Sequence, residues 1–96
     1  MLHYFCFGVK PAQEHPKFWE LQAGDAHIVI RADDKYCEDQ ARAIIERAQW
    51  KIQKLLTSLA RDEAYLSLLP SEAQEALRRG DHYFEVGVYP TGNGRA

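Results

Sequence analysis

The chain has 96 residues, a formal net charge of −2 with histidines neutral, 46% hydrophobic and 27% charged residues, the balance of an ordinary globular protein. A chain this short buries roughly 60–65% of its unfolded surface, which suits one core and excludes a large cofactor enzyme with two lobes. With 12 Lys+Arg against 14 Asp+Glu, no electropositive field exists to drive tight binding to nucleic-acid phosphates.

A single domain is expected over 1–90, with 91–96 (Thr-Gly-Asn-Gly-Arg-Ala) as a tail with nothing to bury. Residues 2–10 read as a strand, and the segment His3–Pro11 recurs as His82–Pro90 with six of nine positions identical. Strand alternation puts Phe5, Phe7 and Val9 on one face and Phe84, Val86 and Val88 on the equivalent face of the last strand. These faces point to the core. Between Pro11 and Gly24 lies a long polar connection that carries Phe18, Trp19 and Leu21, either a lid over one end of the core or a hook for a partner. Ala26, Ile28, Ile30 and Ala32 alternate with His27, Val29 and Arg31, so a second strand forms a wide hairpin with the first.

Asp33 and Asp34 can cap a following helix, in which Ala41, Ile44, Ile45 and Ala48 make an apolar stripe and Glu38, Arg42 and Glu46 a ladder of alternating charge. After Gln49 two readings stand. The stripe continues through Ile52, Leu55, Leu56 and Leu59 as a helix of about 25 residues, or the chain turns and runs back as a strand; the apolar spacing prefers the helix. Pro70 stops the next apolar run, and 72–79 form a short helix closed by Gly80 before the last strand.

Several motifs occur in a familiar order. They are a strand ending in Lys10-Pro11, Gly24-Asp25-Ala26-His27 entering a strand that ends Arg31-Ala32-Asp33, an Ala41 to Ala48 helix running into Trp50, and Glu75-Ala76 to Gly80 before the last strand and Pro90. Over most of 2–90 this resembles a set of small uncharacterised bacterial proteins with a ferredoxin-like fold. The resemblance implies a fold and no activity, and it implies that Trp50 opens a strand.

No thiol or imidazole pair has the short spacing that puts two metal ligands on one turn or one helix face, so no metal is expected at His3, Cys6, His27, Cys37 or His82. Cys6 and Cys37 are expected to be reduced, in keeping with a cytoplasmic protein without a secretion signal or membrane span. Cys37 falls in a first helical turn, but no histidine is fixed beside it by sequence, and Glu38 and Asp39 oppose a thiolate there. The acidic groups lack the glycine and distal glutamate of a calcium loop, and no glycine stands in a phosphate-cradling motif. No cofactor is expected.

The fold expected is therefore α+β, a two-layer, ferredoxin-like sandwich of three or four largely antiparallel strands with two helices on one face. The uncovered face would carry Tyr4, Arg31, Tyr83 and Tyr89, which with Phe18 and Trp19 of the 11–25 connection are the expected contact residues. The function this favours is a non-enzymatic protein-interaction module, an inhibitor, immunity or accessory factor that binds a protein partner or a second copy of itself. Single-stranded nucleic acid on the tyrosine face is the alternative, and a small enzyme with a pocket near the 11–25 connection is the third.

Overall fold

The two echoing segments become strands on either side of the same neighbour. The computed structural model describes residues 2–18, 23–31 and 37–88, within which β1 (Leu2–Pro11) and β4 (Tyr83–Val88) each pair antiparallel with β2 (Gly24–Arg31). Their registers coincide: Phe5 and Phe84 both face Ile28, Phe7 and Val86 both face Ala26, and Tyr4 and Tyr83 both face Val29. The repeat in the sequence is thus a local symmetry of the sheet about β2. Of the equivalent aromatic pair, Phe5 is buried in the centre and Phe84 only half-buried on an edge strand.

The remaining strand, β3 (Trp50–Arg61), pairs with the other side of β1 and completes an antiparallel sheet of order β3-β1-β2-β4. The helical reading of this stretch does not hold. The register slips twice against β1, between Cys6 and Phe7 and between Gly8 and Val9, so Leu56 and Gln53 are the extra residues of two bulges. Each bulge adds one residue to an alternation of two, and Ile52, Leu55, Leu56 and Leu59 acquire a spacing that imitates a helix. The chain enters β3 through Gln49, whose φ of 71° takes the backbone out of the helical region.

β2 and β3 both run antiparallel to β1, and α1 (Cys37–Arg47) is the crossover between them. It packs Cys37, Ala41 and Ile45 over Phe5, Phe7, Val9, Ala26, Ile28 and Ile30, and Trp50 closes the end of this core. At the margin of this core, not on the solvent side expected, half-buried Glu38 and Arg42 form the four-residue pair at 2.9 Å, with the guanidinium 5.0 Å from the centre of the buried Phe7 ring.

The architecture is the expected small α+β sandwich of a four-stranded antiparallel sheet and two helices. Its elements run β-β-α-β-α-β, where a ferredoxin-like domain runs β-α-β-β-α-β. The helices, expected on one face, divide between two. β3 leaves the sheet at one edge and β4 enters at the other, both at the Leu2–Arg31 end. The connection therefore crosses that end of the sheet. It consists of a 3₁₀ turn (Glu63–Leu68) and α2 (Ser71–Arg78), and Leu77 of α2 is buried with Leu2 and Val29 on the face opposite α1, ringed by Tyr4, Tyr65, Leu66 and Leu69. Gly80 at φ 88° ends α2 as expected, with Gly80 N–H bonded to Leu77 C=O and Asp81 N–H to Ala76 C=O.

Candidate functional site

Alternation and register together assemble a polar cluster on the face opposite α1. Cys6 of β1 and Glu85 of β4 flank His27 of β2, and Gly8 and Gly87 flank Asp25. The Tyr4 hydroxyl lies 2.7 Å from His27 Nδ1, donating to it or accepting from it according to the imidazole tautomer, and the two rings are nearly parallel at 6.0 Å. A ligand atom of each of Cys6, Asp25 and His27 lies within 4.8 Å of the others. The Tyr83 hydroxyl donates to Glu85 at 3.0 Å. At the covered end of the face, Tyr65, Leu69 and Pro70 wall a pocket of about 270 Å³ whose floor is Tyr4, His27, Val29, Tyr83 and Glu85.

Burial pushes the Tyr4 phenol from 10.0 up to about 12, with the neighbouring Cys6 sulfur adding to the shift. Burial also pushes the Cys6 thiol up, and a hydrogen bond from Tyr4 partly offsets it. Tyr83 is raised chiefly because its hydroxyl donates to Glu85. A phenol whose pKa is higher in the folded than in the unfolded state favours folding fully at pH below 10, and that contribution is lost as pH rises toward 12. An ultraviolet titration should therefore show one tyrosine ionising about two units after the ordinary class, and Tyr4→Phe should remove it. Ionisation of every tyrosine in a single step near pH 10 would contradict the assignment.

Of the contact residues expected from sequence, Tyr4 and Tyr83 do meet, in this pocket. Arg31 is engaged within the chain: its Nε–H donates to Leu77 C=O at 3.1 Å and its Nη1 pairs with Glu63 at 2.7 Å, holding the 3₁₀ turn and α2 against the sheet. Phe18 is half-buried at the opposite end of the molecule, where residues 12–18 dock against the turn before β3 through the Ala12 N–H bond to Gln49 C=O and the edge contact of His15 with Trp50 at 4.7 Å. Trp19 and Tyr89, like Leu21, Asp33, Asp34 and the 91–96 tail, lie outside the described residues.

A second constellation sits on the α1 face. Cys37, first residue of α1, has its Sγ 3.5 Å from His3 Nδ1, and His3 Nε2 lies 3.2 Å from Ser58 Oγ. The histidine that sequence spacing does not place beside Cys37 comes from β1. Cys37 is 7% exposed and the His3 ring is stacked on Phe5 at 4.4 Å, so the pair is built into the core edge. The two cysteines lie on opposite faces of the sheet, both free of a disulfide.

The third feature is the outer edge of β3. Leu55, Leu56 and Leu59 are 37%, 43% and 45% exposed there, and Leu68 of the 3₁₀ turn is 73% exposed beside the strand's end. Lys51, Lys54 and Arg61 are its charged residues, and it holds no acidic group. Among the described residues, no helix is long and apolar enough to cross a membrane. No protein-family model matches the chain, and neither a curated protein nor a solved structure is significantly similar to it.

Proposed function

We propose that this protein is a protein-interaction module that takes up an extended, acid-bearing segment of a partner protein along the free edge of β3. The observation that carries this reading is the edge itself, twelve residues long, paired among the described residues with β1 alone and flanked by half-exposed leucines, Leu55 on the α1 face and Leu56 and Leu59 on the other. A free strand edge offers a row of N–H and C=O groups that another extended chain satisfies, while its side-chain pockets select the sequence. The lysines choose between occupants. Two copies of β3 side by side would bring six cations and no carboxylate into one interface, whereas a partner strand carrying Asp or Glu pairs with Lys51 and Lys54, which make no ion pair among the described residues.

The nucleic-acid reading loses support at the tyrosine face. Tyr4 is stacked on His27 and Tyr83 bonds Glu85, and the carboxylates of Asp25 and Glu85 share that face. Base stacking needs open rings and a basic surround.

Panning random twelve-residue peptides against the protein tests the proposal. Peptides rich in Asp or Glu and β-branched residues should be selected, and Leu56→Lys/Leu59→Lys should weaken their binding at least tenfold without lowering the melting temperature. Selection of basic peptides, or binding indifferent to that variant, would overturn it. A dimer in sedimentation that the same variant dissociates would assign the edge to a second copy instead.

A further inference from the structure

We propose that Cys6, Asp25 and His27 form a binding site for one divalent d-block cation of the zinc class. The site lies on the sheet face opposite α1, beside the covered end, and not on the β3 edge, so it stands independently of the partner-strand reading.

The donor set is one thiolate, one imidazole and one carboxylate. Magnesium and calcium take oxygen donors, whereas a mixed sulfur, nitrogen and oxygen set suits zinc and its neighbours. Bonds of 2.0–2.3 Å to a tetrahedral zinc put donor atoms about 3.3–3.6 Å apart. The three donors already lie within 4.8 Å of one another, so closing on a metal takes about 1 Å of side-chain rotation. A dication with the Cys6 thiolate, the Asp25 carboxylate and a neutral His27 sums to zero charge, which a half-buried position tolerates well. Binding exchanges the Cys6 S–H bond for a sulfur–metal bond and releases that proton to solvent.

The placement is also rigid. Cys6 and His27 are direct cross-strand partners on β1 and β2, the two central strands, and Asp25 is two residues from His27 and hence on the same face. The Tyr4 hydroxyl lies 2.7 Å from His27 Nδ1 and so holds the imidazole, leaving Nε2 to the metal, which is the second-layer support that metal ligands require. Gly8 and Gly87 keep side chains away from either flank of Asp25, and neither is needed for internal fit: a Cβ at Gly87 would meet nothing within 4 Å, and one at Gly8 would make only ordinary contact with Lys54 at 3.5 Å. The fourth position of the tetrahedron is left to water or to a donor from a bound molecule, the arrangement of an open zinc site.

Cobalt(II) is the probe, because its visible bands report tetrahedral geometry and its near-ultraviolet thiolate charge-transfer band reports sulfur ligation. The 96-residue chain should bind one equivalent with both signals, and zinc should displace it. Cys6→Ser should abolish the charge-transfer band, His27→Gln and Asp25→Asn should each weaken binding at least tenfold, and Tyr4→Phe should weaken it about 10–100-fold as outer-layer changes do. Circular dichroism of the half-buried His27→Gln variant verifies that the fold persists. Absence of stoichiometric binding by the wild type, or a charge-transfer band lost in Cys37→Ser and kept in Cys6→Ser, would overturn the assignment.

Discussion

Phe7→Ala is expected to remove most of the stability of the fold at room temperature and to bring its urea midpoint close to zero. The ring is fully buried, stacked 5.9 Å from Phe5, with Arg42 of α1 lying over it, and its partner on β2 is the small Ala26. A buried Phe→Ala change costs ~3–5 kcal/mol, comparable with the whole stability of a small domain, which lies toward the low end of ~5–15 kcal/mol. Phe84 tests the same logic at the edge of the sheet. It faces the same kind of residue as Phe5 but is half-buried on β4, so Phe84→Ala should lower the urea midpoint by clearly less than Phe7→Ala and leave a folded protein. If Phe84→Ala proves the more damaging of the two, the core is not centred on β1 and α1.

The strands at the two ends of the chain, each paired with β2, are legible in the sequence because each obeys an alternation of two without interruption. The His3–Pro11 echo even carries the register, since both copies meet β2 at equivalent residues. β3 breaks that rule. Its two bulges insert residues at Gln53 and Leu56, and an alternation interrupted twice in twelve residues is indistinguishable from helical spacing until the partner strand is known. Single-residue features such as the positive φ at Gln49 decide the matter, and glutamine carries no signal for that conformation.

The chemistry is less legible in the sequence than the architecture for a related reason. Metal and nucleophile motifs are recognised when ligands share one turn or one helix face, which fixes them a few residues apart. Here Cys6 and His27 are neighbours through a strand pairing, and Cys37 meets His3 through the packing of α1 on β1. Alternation places Tyr4, His27 and Tyr83 on one face, but only the register brings Cys6 opposite His27. The sheet face expected to be uncovered is covered at one end: Leu2 and Val29 are apolar on that side, which is the signal that a cover exists there, and Leu77 supplies it.

That cover leads to the second large effect, because Leu77→Ala should unfold part of the molecule and spare the rest. Leu77 is fully buried and is the residue through which α2 joins Leu2 and Val29, in a cluster separate from the Phe5–Phe7 core. Truncating a buried leucine costs ~2–5 kcal/mol. An eight-residue helix has no stability of its own in water, so the loss falls on α2 and the 3₁₀ turn before it reaches the central strands. The Arg31 bonds to Leu77 C=O and Glu63 are partly exposed and contribute too little to hold the segment without its apolar anchor. Hydrogen exchange should show the amides of 74–79 losing protection while those of β1 and β2 keep theirs. Tyr4, no longer covered by Tyr65 and Leu69, should then ionise closer to 10 than to 12. A single cooperative loss of protection across all four strands would mean that α2 is part of the main core, and the division of the apolar residues into two clusters would carry no energetic meaning.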